Sequence, residues 1–376
     1  MPQLRYFTAG ESHGPCVIGI VEGLPAGLKI DLTAINRDLS RRQQGYGRGG
    51  RMKLEADQAE VLSGVRRDET IGSPITVMIK NRDFKINELP AVTKPRPGHA
   101  DLAGLIKYDR EDARDILERS SARETTVRVA IGGVCKLLLA EVGVDIVGHI
   151  VSLGSVRAKT DGLTFAQIRE RSEASEVRCA DPEAEKKMIE AVDAAKGQGD
   201  TLGGVFEVVA IGLPIGLGSH VQWDRKLDAN LARALMSIQA MKGVEVGLGF
   251  EASRRFGSQV HDEILPAQEG VLTRAGNNAG GIEGGMTNGQ PVVVRVAMKP
   301  LSTLMKPMRS VDIQTGQEVK ATVERSDVCA TPAAAVIGEA VVAFELAKAL
   351  LDKFGGDSVR ELKRNVESYR AACKRW

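Results

Sequence analysis

The chain has 376 residues, of which 43% are hydrophobic and 27% are charged, and its 51 basic and 49 acidic residues leave a formal net charge of only +2. This composition is typical of a soluble globular protein with enough apolar material for a large core. It excludes a strong overall positive field, so any anion-binding site must come from local clusters of basic residues.

Neither a membrane anchor nor a metal site is indicated by the sequence. No apolar run is long enough to cross a bilayer, and the first seven residues lack the apolar region of a secretory signal, so we expect a cytoplasmic protein. The five cysteines are scattered and never have C-x-x-C spacing, which argues against a disulfide framework or a zinc site. We expect them to be reduced. They are Cys16, Cys135, Cys179, Cys329 and Cys373.

The first candidate site residue is a histidine in a turn between two predicted strands. Strand-like sequences cover residues 4–8 and 16–21, and the turn between them contains GESHGP at residues 10–15. Glycines near His13 allow the backbone to approach a ligand closely, and the imidazole can exchange a proton near neutral pH. A surface histidine in a tight turn fits the same pattern, so the turn alone leaves both interpretations open.

A helix rich in basic residues is predicted over residues 31–44. Asp31 or Thr33 is the candidate cap, and Ile35 and Leu39 face inward. The same periodicity places three arginines on the outer side of the helix, namely Arg37, Arg41 and Arg42.

A glycine-rich loop follows this helix and reads GYGRGGR at residues 45–51. With Arg42, Arg48 and Arg51 around it, the loop can fold over a phosphorylated or carboxylated ligand. The Gly-x-Gly spacing also occurs in dinucleotide-binding turns, but those follow a strand rather than a helix. An RNA contact is disfavoured because only 4% of residues are aromatic and the motif occurs once. A plain solvated loop remains open.

A second constrained histidine segment, KPRPGHAD at residues 94–101, follows a predicted strand over residues 75–80. Two prolines and a glycine fix the backbone around Arg96 and His99. A loop that merely connects two elements does not need such control, so we interpret this segment as part of a site.

A buried helix is predicted to begin at Ser121, because Ser121 and Glu124 have the spacing of a capping box. Apolar residues recur at three- and four-residue steps beyond it. The helix N-terminus, the serine hydroxyls and Arg123 together can hold an anion, which would offset the unfavourable position of an arginine in the first turn. A well-capped core helix without a ligand is the alternative.

The second half of the chain alternates predicted strands, helices and small-residue loops. We predict strands over residues 144–156, 203–214 and 292–298, and helices over residues 182–195, 227–238 and 333–354. The loop at residues 277–286 reads NNAGGIEGGM and allows backbone amides to approach a ligand. After the last strand, Lys299 with Ser302 and Thr303 is typical of a phosphate-binding segment. We assign structural roles to His149, His220 and His261.

Arg325 and Asp327 lie two residues apart in a predicted extended segment before the last long helix. Alternation along such a segment projects both side chains to one side. They can belong to a site, or they can form a surface ion pair of little consequence.

Stretches spread along the whole chain resemble the motifs of one enzyme family, the chorismate synthases. They read GESHG at residues 10–14, RPGHAD at 96–101, E-x-x-S-A-R-x-T at 118–125, MTNG at 286–289 and RSD at 325–327. The resemblance implies a single domain over residues 1–376 and an α+β fold. In that fold a β-α-β sandwich buries two long helices between antiparallel sheets, and the subunits form a homotetramer.

The resemblance also implies an activity. Members convert 5-enolpyruvylshikimate 3-phosphate to chorismate and phosphate by an anti 1,4-elimination, the last common step of the shikimate pathway, with reduced FMN that is not consumed overall. A small trianionic substrate explains the arginines, and a flavin explains the glycine-rich loops. Bifunctional members also reduce the flavin with NADPH. No inserted segment here supplies that activity, so we expect an external flavin reductase or NADPH source, and no nucleic-acid or membrane partner.

Site residues carry over from the family motifs to this sequence. The resemblance implies that His13 protonates the departing phosphate, that His99 supports the anionic reduced flavin, and that Asp327 assists proton removal near flavin N5. The implied substrate-binding residues are Arg42, Arg48, Arg51, Arg96, Arg123 and Arg325. The implied FMN-binding residues are Ser121, Ala122, Arg123, Gln239, Ala240, Gly284, Lys299, Pro300, Leu301, Ser302, Thr303 and Arg325. No metal ligand is implied.

Overall fold

The structure is a computed structural model that describes residues 4–49, 56–268, 271–324 and 326–374. The strands in chain order are β1 (Arg5–Ala9), β2 (Cys16–Glu22), β3 (Glu60–Ser63), β4 (Val65–Arg66), β5 (Glu69–Thr70), β6 (Ile75–Lys80), β7 (Asp145–Leu153), β8 (Val156–Arg157), β9 (Gly204–Ile211), β10 (Met241–Val246), β11 (Ile264–Gln268), β12 (Val271–Arg274), β13 (Ile282–Glu283), β14 (Met286–Thr287), β15 (Val292–Met298), β16 (Arg309–Val311) and β17 (Glu318–Lys320).

The α-helices in chain order are α1 (Leu32–Gln43), α2 (Asp101–Tyr108), α3 (Arg114–Ser120), α4 (Thr125–Ala140), α5 (Phe165–Ala174), α6 (Pro182–Gly197), α7 (Leu227–Met236), α8 (Gly257–Val260), α9 (Thr331–Phe354) and α10 (Val359–Cys373). Short 3-10 turns cover Ala122–Glu124, Trp223–Arg225 and Gly249–Arg254.

Two antiparallel sheets carry the fold. The first has strand order β1-β2-β6-β3, and the second has strand order β10-β15-β9-β7-β8. In β15, Val292, Val294 and Val296 are buried while the residues between them are partly exposed, as expected when one face of a sheet packs on a core. The mixture of helices and antiparallel sheets confirms the predicted α+β class.

Helices α4 and α9 pack against each other at the centre of the core. Helix α4 also contacts β2 and β6 of the first sheet, and α9 contacts β7 and β9 of the second. The two helices approach closely because Gly132 has no side chain: a Cβ added there would lie 2.3 Å from the Ala340 Cβ. Both helices are largely buried, as their apolar sequences predict. In the described part of the chain, no helix has the length and apolar character that a membrane crossing requires.

Local signals in the sequence account for several elements. Helix α1 begins after Asp31, whose side chain accepts hydrogen bonds from the amides of Thr33 and Ala34, and α6 begins in the same way after Asp181. The predicted strands over residues 75–80 and 292–298 match β6 and β15. These predictions are confirmed because caps and alternation depend on neighbours in the sequence.

The predicted capping box at the start of the central helix is wrong. Ser121 Oγ accepts a hydrogen bond from the Arg123 amide and begins a 3-10 turn, so the α-helix starts only at Thr125. The Glu124 carboxylate instead accepts hydrogen bonds from Thr8 and Gln239, which are distant in sequence, and from Arg128 one turn further along the helix. The spacing fits a capping box, but Thr8 of β1 and Gln239 of a distant loop bind the Glu124 carboxylate in the folded protein.

The placement of Arg42 on the outer side of its helix is also wrong. Arg37 is exposed, whereas Arg42 is only 4% exposed. Its guanidinium donates hydrogen bonds to the Thr125 hydroxyl and to the Ala122 carbonyl, at the beginning of α4. The last turn of α1 packs against that terminus, so an arginine there becomes buried.

Candidate functional site

A cleft of about 700 Å³ is lined by the residues that begin α4 and α9 and by loops from both halves of the chain. The structure brings these predicted site residues together on its walls: His13, Arg42, Arg48, Arg96, His99, Ser121, Ala122, Arg123, Gln239, Ala240, Lys299, Leu301, Ser302, Thr303 and Asp327. A concave surface with convergent charged groups is the usual form of a small-molecule site.

Two predicted site residues in the described part of the chain, Gly284 and Pro300, are not among those that line the cleft. Pro300 lies between two residues that do line it. Gly284 lies in the turn between β13 and β14, where an added Cβ would meet only His220 and Met286, at 3.9 Å. Arg51 and Arg325 lie outside the described residues.

His13 is held by a glutamate at the side of the cleft. Its Nδ1 lies 2.9 and 3.0 Å from the two carboxylate oxygens of Glu118, and its backbone amide donates to Glu118 Oε2 at 2.8 Å. Burial raises the pKa of the Glu118 carboxyl, but hydrogen bonds from the ring and backbone of His13 outweigh burial and hold that pKa below its usual value. Glu118 is therefore ionised at neutral pH and accepts hydrogen bonds.

His99 belongs to a second group of the same kind. His99 Nδ1 lies 2.5 Å from Asp101 Oδ1, and Arg96 Nε donates to Asp101 Oδ2 at 2.8 Å. Burial raises the pKa of Asp101, yet hydrogen bonds from His99 and Arg96 hold it well below its usual range. Arg96 Nη1 also donates to the Thr303 hydroxyl at 2.9 Å. The two prolines of this loop thus fix a histidine, an arginine and a carboxylate against the segment that follows β15.

Asp327 is paired with the glycine-rich loop. Its Oδ2 accepts from Arg48 Nη1 at 2.7 Å, and its Oδ1 accepts from the Gly49 amide at 2.6 Å. The loop itself is anchored by its neighbours, because the Gly47 carbonyl accepts from the Val328 amide. Within the described residues, an arginine and a backbone amide of one loop thus hold both oxygens of this carboxylate.

Arg123 already has hydrogen-bond partners within the protein, so its guanidinium is anchored without a bound anion. Its Nη1 donates to Asp57 Oδ1 at 2.6 Å, and its Nε donates to Asn81 Oδ1 at 2.7 Å. Asp57 is only 2% exposed. The expected counter-charge at this helix terminus is therefore present, but a carboxylate of the chain supplies it.

Arg42 is a buried cation of the cleft whose hydrogen bonds to the described residues are incomplete. Its Nη1 is buried without a hydrogen-bond partner among the described residues, and the Asp57 carboxylate lies 3.8 Å away. Burial lowers the pKa of Arg42, and the nearby Arg48 and Arg123 lower it further, although Asp57 opposes them. An anion bound here would relieve the repulsion among these cations.

Another part of the cleft lining contains apolar side chains and a strained residue. Ala240 adopts φ of +69°, a conformation that non-glycine residues rarely adopt, and its carbonyl accepts from the Lys299 amide. Gln239 Oε1 is buried without a hydrogen-bond partner in the described part of the chain. Burial, and secondarily Lys242, lowers the pKa of Lys299. The apolar side chains in this part of the lining are Ile238, Met241, Met298, Leu301 and Ile337.

Sequence reasoning missed the anionic partners of the site. Asp57 was not singled out, while Asp101, Glu118 and Glu324 were only parts of quoted stretches. A carboxylate inside a histidine-containing motif was an available signal for Asp101, two residues after His99. No comparable signal existed for Asp57, because its partners are distant in sequence. Among the described residues, no group of His, Cys, Asp and Glu is arranged to hold a metal ion.

Comparisons with known proteins show which proteins the chain is similar to. Residues 4–351 match the family model described as chorismate synthase. The chorismate synthase of Geobacter sulfurreducens is 59% identical, with 97% of this chain and 98% of the relative covered, and that of Bacillus cytotoxicus is 55% identical with the same coverage. A solved structure titled as a chorismate synthase crystal structure superposes with a TM-score of 0.83 at 45% identity, over 100% of both chains. The chain therefore belongs to the chorismate synthase family.

Proposed function

We propose that this chain eliminates phosphate from 5-enolpyruvylshikimate 3-phosphate by an anti 1,4-elimination to give chorismate, the last common step of the shikimate pathway. As a chorismate synthase family member it is a carbon–oxygen lyase acting on phosphate. The observation that carries the detailed proposal is the convergence of basic side chains and two histidine–carboxylate pairs on one cleft.

The basic side chains fit a small substrate with several negative charges. Arg42, Arg48, Arg96 and Arg123 line the cleft, and the substrate would bring two carboxylates and a phosphate to it. Guanidinium groups bind such oxyanions through paired hydrogen bonds. Arg42 offers the clearest donor, because its buried Nη1 has no hydrogen bond to the described residues. Arg51 and Arg325 are proposed to contribute as well, on the family resemblance.

The part of the cleft lining that contains the apolar side chains fits reduced FMN. Apolar side chains such as Met241 and Leu301 can pack on a flat ring, and the buried Gln239 Oε1 can accept a hydrogen bond from a ring N–H. Lys299, Ser302 and Thr303 would hold the FMN phosphate. When bound, reduced FMN is taken to lend electron density transiently while phosphate leaves. Gly284 and Pro300 remain proposed FMN contacts.

Three side chains of this protein would move or stabilise charge during the elimination. His13 would donate a proton to the departing phosphate. Asp327 would help to remove the C6 proton of the substrate, and its ion pair with Arg48 holds the carboxylate in place. His99 would stabilise the negative charge of the reduced flavin, and Asp101 holds the His99 ring in place.

We also propose a homotetramer in the cytoplasm that depends on an external flavin reductase or NADPH source, without a nucleic-acid or membrane partner. An uncovered apolar pair supports subunit contacts: Phe7 and Ile20 oppose each other on β1 and β2 and are 68% and 43% exposed. Sedimentation of the wild-type protein and of Phe7→Ser would test this, since a monomeric wild-type protein would contradict it.

The test of the activity is anaerobic incubation with dithionite-reduced FMN and the substrate. We expect equal amounts of phosphate and chorismate, detected by a phosphate assay and by chorismate absorbance. Flavin reduced beforehand removes any dependence on a reductase. Absence of both products would overturn the proposal.

A further inference from the structure

We propose that Glu118 is a positioning residue that keeps the His13 proton on Nδ1 and thereby makes Nε2 the atom that exchanges a proton. The inference rests on the proposed function in one respect only, namely that His13 donates a proton to the leaving phosphate. The position of the ring proton can be measured without any reaction.

The contacts between the two residues permit one neutral tautomer. Both Glu118 oxygens lie within 3.0 Å of His13 Nδ1, and Oε2 also accepts from the His13 amide. An ionised carboxylate can only accept hydrogen bonds, so Nδ1 must carry the proton. The other ring nitrogen, Nε2, makes no hydrogen bond to the described residues, and Asp83 Oδ2 lies 3.7 Å from it, beyond hydrogen-bonding distance.

Glu118 is itself held in place and ionised. It is 2% exposed, and Arg114 Nη1 lies 3.4 Å from its Oε1. Arg114 also donates a hydrogen bond to Glu324, which lies in the segment before Asp327. The cation that contacts Glu118 is therefore itself attached to that segment. The other charged groups near the ring are Asp83 and Lys85, which pair with each other at 2.8 Å.

The turn that carries His13 is also held by hydrogen bonds that do not involve the Glu118 side chain. Asn81 Nδ2 donates to the carbonyl oxygens of Glu11, Ser12 and Gly14. The His13 carbonyl accepts from the amides of Lys85 and Ile86. Replacing the Glu118 side chain should therefore change the ring proton more than the backbone around it.

The protein contains a matched control. His149 Nε2 lies 3.1 Å from Glu207 Oε1 in the second sheet, and this pair is buried outside the cleft. Glu207→Gln removes a histidine-bound carboxylate of the same chemistry without touching the proposed machinery. We expect it to leave turnover unchanged.

The first test is nitrogen NMR of the wild-type protein labelled with ¹⁵N-histidine, with His13 assigned by its loss in His13→Gln. We expect the neutral ring to carry its proton on Nδ1, and we expect Glu118→Gln to give a mixture of tautomers. A neutral wild-type ring protonated on Nε2 would overturn the proposal. This result stands whether or not the protein forms chorismate.

The second test is the pH dependence of single-turnover chorismate formation with pre-reduced FMN. Glu118 places an anion beside the ring, so its replacement by a neutral amide should move the alkaline fall in rate to lower pH. Glu207→Gln should keep the wild-type profile. A carboxylate with a purely structural role would lower the rate equally at every pH, and an unmoved profile in Glu118→Gln would overturn the inference. If the wild-type protein forms no chorismate, the proposed function fails, and the NMR result alone decides the role of Glu118.

Discussion

Arg48 and Asp327, which are far apart in the sequence, form an ion pair in which Arg48 Nη1 lies 2.7 Å from Asp327 Oδ2. The adjacent Gly49 amide donates to the other oxygen of the same carboxylate. The glycine-rich loop is thereby attached to the segment that precedes α9. One arginine can thus bind an anionic substrate and hold the proposed proton acceptor in position.

We expect Arg48→Ala to weaken substrate binding by about 1.5 to 3 kcal/mol, the range for hydrogen bonds to charged groups. FMN binding should change much less, because the apolar side chains of the cleft lining and Lys299 lie on other segments. Titration of each ligand separately, followed by fluorescence, measures the two effects. Equal losses of affinity for both ligands would contradict the assignment of Arg48 to the substrate.

Arg123→Ala should weaken FMN and substrate together, and it should also destabilise the fold. The variant leaves the buried Asp57 carboxylate without its closest cation, and breaking a buried ion pair costs about 3 to 5 kcal/mol. Urea unfolding measures this loss. The double variant Arg123→Ala with Asp57→Asn should recover stability but not ligand affinity. Unchanged flavin affinity in the double variant would refute a direct role for Arg123.

The contact between α4 and α9 predicts the effect of adding one methyl group. Gly132→Ala should destabilise the protein by about 1 to 3 kcal/mol, because the new Cβ would overlap Ala340. Gly197, also helical, has no atom within 4 Å of an added Cβ. Gly197→Ala should therefore stabilise the fold by about 0.4 to 1 kcal/mol. Similar urea midpoints for the two variants would contradict the close helix crossing.

Glu339 should make stability depend on pH. Burial raises the pKa of this carboxyl, but Lys136 and Arg41 reverse the effect and hold it well below the ordinary value of 4.5. A carboxyl with a depressed folded-state pKa contributes stability above its unfolded pKa and loses that contribution as the pH falls. Urea midpoints measured below pH 4.5 should therefore fall less steeply for Glu339→Gln than for the wild-type protein. Parallel curves would show that Glu339 is not responsible.

The sequence predicted the elements that local signals specify and missed those that tertiary partners decide. Asp31 and Asp181 cap helices through their own neighbours, so their roles were readable. Glu124 had the spacing of a capping residue but pairs with Thr8 and Arg128. Its role depended on which strand the fold would bring alongside.

The residues of the candidate site also divide into those that the sequence predicted and those whose roles depend on tertiary contacts. Local motifs identified His13, His99 and most of the basic residues of the cleft as candidates, and the family resemblance implied their roles. Asp57 escaped notice, since a buried carboxylate among charged residues looks like any other in sequence. Only the fold shows that it neutralises Arg123.

The most direct test of the account is a rapid-mixing experiment with pre-reduced FMN and substrate under anaerobic conditions, following chorismate and phosphate in one turnover. Wild-type protein and the Glu207→Gln control should release both products in equal amounts. The double variant His13→Ala with Asp327→Asn should bind FMN but slow the turnover by at least about 100-fold, because each change removes a proposed proton-transfer group. Wild-type rates in the double variant would contradict the claim that this cleft carries out the elimination.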